Sequence, residues 1–118
     1  MELKTYRDEA PFPFGTLAVK DMTPRTFTRL SMAVVEVPIG AEHPPFAEER
    51  KEKIYVGLRG EVAFTCNDET VRVGPGDVLV FTGGEQYSYH NGGYEPGQLL
   101  VLQRPNREPD ATEAVTRR

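Results

Sequence analysis

Lys53 and Tyr55 stand two residues apart in KIYVGLRG (53–60), and Tyr87, Tyr89 and Asn91 are spaced the same way in QYSYHN (86–91). In a β-strand this spacing puts each set on one face. Phe46 and Glu48 share a face just upstream. A lysine held in an apolar cavity has a lowered pKa and can serve as a base or a Schiff-base nucleophile. A nearby tyrosine can donate a proton or a hydrogen bond to an enolate-like oxygen. Glu48 could be a second proton carrier. Brought around one cavity, such a set suits isomerisation, dehydration, aldol-type or cyclisation chemistry on a small, partly unsaturated carbonyl compound. The competing reading is structural: Lys53 and Glu48 form a salt bridge that fixes the fold without chemistry, since buried ion pairs are often neutral for stability.

The elements that must position these residues are short strands. FGTLAVK (14–20), RLSMAVVEVP (29–38), KIYVGLRG (53–60), EVAFTC (61–66), VRV (71–73), DVLVF (77–81), QYSYH (86–90) and QLLVLQ (98–103) alternate with the turn signals NDET, GPG, GG and NGG. Many short strands with closely spaced turns predict an all-β barrel or sandwich. AEERKEK (47–53) has Glu48/Glu52 and Glu49/Lys53 at i,i+4 spacing, but it lacks an apolar stripe and follows Pro44-Pro45. A loop leading into a strand is expected there rather than a helix. Residues 1–12 read as an N-terminal arm, 13–104 as the barrel, and 105–118 as a polar tail that is disordered or laid on a partner.

The composition narrows the classes. Gly 11 and Pro 10 in 118 residues exceed the usual share and indicate many turns. Fourteen Lys and Arg against eighteen Asp and Glu give a net charge of −4, and no basic run interleaves with aromatics, so no nucleic-acid partner is expected. No apolar run approaches ~18 residues, and MELKTYRDEAPF has no apolar h-region, so neither a membrane span nor a secretory signal is expected. A single cysteine, Cys66, makes no internal disulfide and no CxxC zinc site. These features suit a cytoplasmic domain.

Two segments, GAEHPPFAEERKEKIYVGLRG (40–60) and GDVLVFTGGEQYSYHN (76–91), resemble the two motifs of the cupin superfamily. Gly40 is followed after five residues by Phe46, after one by Glu48, after four by Lys53 and after six by Gly60. Gly76 is followed after five by Thr82, after one by Gly84, after two by Tyr87 and after three by Asn91. The 15 residues between the motifs suit a minimal single-domain member. The resemblance implies a cupin-type double-stranded β-helix, a jelly-roll barrel, with glycines at tight corners where φ is positive.

Metal-dependent cupins place two His, one Glu and a third His where this chain has Phe46, Glu48, Lys53 and Tyr87. Only Glu48 is an ordinary ligand for a divalent ion, and an ammonium beside a dication is costly. The resemblance therefore implies the fold and the pocket without the metal. It places Phe46, Glu48, Lys53, Tyr55, Tyr87 and Tyr89 inside the barrel, an aromatic-walled cavity with one acid and one base. His43, before the double proline, is read as a solvated or hydrogen-bonding loop residue; with Glu48 and Tyr87 it is the alternative, weak metal site. His90 falls off the inward parity and is expected to face away. Cys66 is read as a packing residue, Glu49–Glu52 as a solvated rim or a gate, and Arg59 and Glu61 as exposed. GPG and NGG are hairpin turns, not phosphate loops, because no helix follows either.

The expected function is a metal-independent isomerase, lyase or cyclase without a cofactor. Lys53 would be base or nucleophile, Glu48 its charge partner or proton carrier, and Tyr55 and Tyr87 the hydrogen-bonding acids. Phe46, Tyr55, Tyr89 and Asn91 would contact the substrate. Metal-free members of the superfamily include sugar epimerases and natural-product cyclases. The alternatives are a non-catalytic small-molecule-binding cupin and a metal-dependent oxygenase with a non-standard ligand set. A homodimer is expected, with RLSMAVVEV as a covered edge strand.

Overall fold

A computed structural model describes residues 1–46 and 50–105. The β-branched and apolar runs form ten antiparallel strands: β1 (Phe12–Phe14), β2 (Leu17–Asp21), β3 (Ser31–Val37), β4 (Glu42–Phe46), β5 (Glu52–Arg59), β6 (Val62–Cys66), β7 (Glu69–Val73), β8 (Val78–Phe81), β9 (Tyr87–His90) and β10 (Gly97–Arg104). One sheet has the order β1-β2-β3-β10-β5-β8, and the other has β4-β9-β6-β7. The two inner faces enclose a core that includes Val35, Val37, Val62, Phe64 and Leu99. This is the expected double-stranded β-helix.

Tight corners depend on glycine. Gly40, Gly60 and Gly76 have φ of 82°, 65° and 85°, values that L side chains rarely adopt. Gly57 is needed for a different reason: a Cβ there would lie 2.0 Å from the Gly74 carbonyl oxygen. The Gly57 N–H donates to Asp77 O at 2.9 Å, and the Gly76 N–H donates to Gly57 O at 2.8 Å. The turn after β7 is thus laid directly on β5.

Two strands depart from the expected pattern. β1 and β4 contain Pro13, Pro44 and Pro45, and both lie at sheet edges, where a missing N–H costs no ladder bond. RLSMAVVEV is not an edge strand: β3 pairs with β2 on one side and β10 on the other. Its apolar run reflects an interior position. The N-terminal segment touches the larger sheet at Tyr6. Tyr6 hydrogen-bonds Glu36, and Lys20 Nζ lies 3.8 Å from the Tyr6 ring centroid. Arg50 lies in a turn and β5 begins at Glu52. The rest of the ambiguous AEERKEK segment, residues 47–49, lies outside the described residues, as does the tail after Pro105.

Candidate functional site

The inward face of the larger sheet is built in rungs. Lys53 on β5 is level with Gln103 on β10, and Gln103 is level with Ser31 on β3. The next rung inward is Tyr55, Val101 and Ala33, and the one after that is Gly57, Leu99 and Val35. Period-two alternation makes each strand contribute to every rung. The first rung is polar and the deeper ones are mostly apolar. The first two rungs and Val35 line one side of a cavity of about 360 Å³ that also meets Leu17, Val19, His43, Phe46, Lys51 and Tyr89.

Lys53 is buried, with 6% of its surface exposed. Its Nζ lies 4.4 Å from the Phe46 ring centroid and 5.8 Å from that of Tyr87. The aromatic wall continues through His43, whose ring is 4.3 Å from Phe46, 5.0 Å from Tyr89 and 5.2 Å from Phe14. Burial pushes the Tyr89 phenol well above its ordinary pKa, with Tyr55 adding to the shift. Its hydroxyl therefore stays protonated and polar without charge.

Several expected site residues take different places. Tyr87 does not line the cavity. Its ring stacks on Phe81 at 3.9 Å, and its hydroxyl is 2.6 Å from the Tyr55 hydroxyl. Its ring also lies 4.8 Å from that of Phe46 and 5.8 Å from Lys53 Nζ, so it backs the lining residues directly. Asn91 is also absent from the cavity lining. Its Nδ2 donates to Val37 O at 2.9 Å and Glu95 O at 2.8 Å, and its Oδ1 accepts from the Gly93 N–H at 2.9 Å. Both N–H groups and the oxygen of the amide are engaged by backbone, so Asn91 acts as a clasp between the end of β3 and the loop before β10. Glu48 lies outside the described residues. Cys66 is packed against the core, and His90 is exposed.

His43 is the residue that the sequence reading misplaced. It is not a solvated loop residue: it lies on β4, 8% exposed, against the cavity. His43 pairs with Tyr89 and Phe46 pairs with Tyr87, so β4 spends three residues where β9 spends two. That extra residue is a β-bulge, and it turns both His43 and Phe46 inward. Pro44-Pro45 immediately after a histidine was the available signal. The Nδ1 atom lies 2.8 Å from Pro44 O. A neutral ring would therefore carry its proton on Nδ1 and leave Nε2 as the basic nitrogen.

Glu48, the one ordinary ligand of the expected set and part of the alternative site with His43 and Tyr87, lies outside the described residues. A lysine and a phenylalanine occupy two of the expected ligand positions, with the cationic end of one set over the ring of the other. Among the described residues, no three of His, Cys, Asp and Glu are grouped to hold a metal.

The cupin-domain family model matches residues 33–103, more than half of the chain. The chain is a cupin. Solved structures agree with this fold. A KdgF from Halomonas sp. superposes with a TM-score of 0.82 at 17% identity, covering 92% of this chain and 96% of that one. The polyketide cyclase RemF from Streptomyces resistomycificus gives 0.81 at 19%, covering 92% and 82%. The Cnp3 cupin domain from Schizosaccharomyces pombe gives 0.74 at 23%, covering 96% and 77%. Comparison with curated proteins finds no match. No helix among the described residues of this cupin is long and apolar enough to cross a membrane.

Proposed function

We propose that this cupin acts on a small organic compound in its cavity, without a resident metal, by acid–base chemistry of the isomerase, lyase or cyclase type. The observation that carries the reading is Lys53, buried yet lining a cavity of about 360 Å³ together with Tyr55 and His43. Lys53 is the base or nucleophile, and Glu48 is retained from the sequence as a candidate charge partner or proton carrier. Tyr55 offers its hydroxyl to a developing oxyanion. Tyr87, bonded to that hydroxyl, positions it. Phe46 and Tyr89 form the wall against which a planar substrate packs. The likeness to a polyketide cyclase supports chemistry of this class on this fold.

The test is exchange of α-protons for deuterium in a panel of small ketones and keto acids, followed by NMR in D2O with EDTA present. Exchange that survives EDTA and disappears in Lys53→Met supports the reading. Exchange retained in Lys53→Met, or abolished by EDTA, overturns it. Saturable binding with every ligand recovered unexchanged would mark a ligand-holding cupin instead.

The reading includes a homodimer. Val78, Val56, Leu100 and Val34 are level across β8, β5, β10 and β3, beside a second row of Val80, Ile54 and Leu102. These residues alternate with the cavity-facing set, so they lie on the outer face. Val78 is 60% and Val80 54% exposed. An apolar patch of this kind, bounded on the β2 side by Lys20, fits a second copy of itself. Light scattering should give twice the chain mass, and Val80→Glu should halve it. A monomeric native protein would refute the dimer.

A further inference from the structure

Tyr89 is a buried tyrosine, 3% exposed, that lines the cavity. On the smaller sheet it is level with His43 on β4 and Phe64 on β6. Its ring packs 5.0 Å from the first and 4.7 Å from the second. This rung lies one step in from Phe46, Tyr87 and Cys66. The neighbouring polar groups are engaged elsewhere: the Tyr55 and Tyr87 hydroxyls meet each other at 2.6 Å, and His43 Nδ1 is turned to Pro44 O at 2.8 Å. The Tyr89 hydroxyl has no hydrogen-bond partner among the described residues. Every side-chain polar atom sealed from solvent among those residues does have a partner. The hydroxyl is therefore not sealed, and it opens on the cavity that its ring lines.

A hydroxyl in this place carries a cost that phenylalanine would avoid, because folding strips it of water and the surrounding walls offer no replacement. Leu17, Val19, Ala33, Val35 and Val101 line the same space and have no polar side-chain atom. We infer that the Tyr89 hydroxyl selects the ligand, donating a hydrogen bond to a carbonyl oxygen carried on a flat apolar frame. The inference rests on the small-molecule reading above and deepens it, since that reading gives Tyr89 only a ring to pack against. Burial holds the phenol protonated well above its ordinary pKa, so it acts as a neutral donor and not as a base. A ketone, ester or amide oxygen accepts from it without bringing a charge against the apolar walls. The rings of His43, Phe46 and Tyr89 supply faces for a flat frame. A cavity of about 360 Å³ lies at the small end of the usual range for ligand sites, ~300–1,000 Å³. That size suits one or two rings.

The experiment uses indanone and indane, a matched pair that differs by one carbonyl group. Each is titrated into the native protein and into Tyr89→Phe, followed by NMR. The substitution should weaken indanone about three- to tenfold, as expected for losing one neutral hydrogen bond. It should leave indane unchanged, so indane also reports that the variant's cavity is intact. The infrared carbonyl stretch of bound indanone should lie lower in the native protein than in the variant, a difference that a tyrosine used only for packing would not produce. If the variant fails to fold, the native protein carries the test: the isotope-labelled Cζ resonance of Tyr89 should shift further with indanone than with indane, and equal shifts would overturn the inference. An indanone affinity or a carbonyl stretch that Tyr89→Phe leaves unchanged would also overturn it, leaving the hydroxyl a water-facing group in a small-molecule cavity. Failure of both probes to bind at millimolar concentration would overturn the small-molecule reading as well.

Discussion

Asn91→Asp replaces one amide nitrogen with oxygen, and the structure makes this a severe change. Asn91 is 1% exposed, and its Nδ2 donates to both the Val37 and Glu95 carbonyls. An ionised carboxylate there faces two acceptors and donates to neither. Losing two buried hydrogen bonds at about 1 kcal/mol each, and leaving their acceptors unpaired, puts the cost at pH 7 near 3 kcal/mol. For a chain of this length that is a fall in Tm of roughly 10–15 °C. Protonation restores one donor, so the folded state holds the introduced carboxyl's proton more tightly than the unfolded chain does. Its folded pKa is raised. That contribution is fully present below the unfolded value, near 3.9, and is lost as pH rises through the folded value. Relative to the native protein, the variant's deficit should therefore shrink on acidification from pH 7 to pH 4. Urea denaturation of both proteins at the two pH values measures it. A variant as stable as the native protein at pH 7, or a deficit that grows with acid, would refute the assignment of Asn91 as a structural clasp.

Two further outcomes follow from named contacts. Gly57→Ala should cost at least about 2 kcal/mol by urea denaturation, because its methyl group meets the Gly74 carbonyl and must push the 74–77 turn off β5; a neutral substitution would mean that this approach is looser than 2.0 Å. The raised Tyr89 pKa contributes stability that is present below the unfolded value, near 10, and lost as pH rises towards the folded one. Denaturant titrations above pH 10 should accordingly show a shallower loss of stability for Tyr89→Phe than for the native protein, and identical slopes would refute it.

The strands rich in β-branched residues, β3, β5, β6 and β10, were legible because their apolar residues and turns leave little alternative. The prolines obscured β1 and β4: Pro13, Pro44 and Pro45 read as breakers, and only the sheet order shows that they lie on edges. The parity argument places Lys53, Tyr55 and Tyr89 on the cavity because β5 and β9 are regular there. His43 reads instead as a loop residue before the double proline, because one bulge in β4 adds a residue that pattern alone does not reveal. Parity also turns Asn91 inward correctly, yet it carries no information about depth, and depth separates a clasp between β3 and the loop before β10 from a wall of the cavity. Tyr87 packs its ring on Phe81 and Phe46 and meets Tyr55 through both its ring edge and its hydroxyl, a depth of packing that parity does not report.

The position of β10 bears on how this chain can be assembled as it is made. β10 is the latest described strand in the sequence, yet it lies between β3 and β5 at the middle of the larger sheet. Until residues 97–104 leave the ribosome, the halves of that sheet represented by β3 and β5 have no shared partner. The Lys53–Gln103–Ser31 rung does not exist before then either. Folding during synthesis is therefore confined to the smaller sheet and the β1-β2-β3 and β5-β8 pairings, and the polar end of the cavity is completed in one late step over long sequence separations. A nascent chain stalled before residue 97 would expose the apolar flanks of β3 and β5 together, and that stage is where chaperone dependence should concentrate.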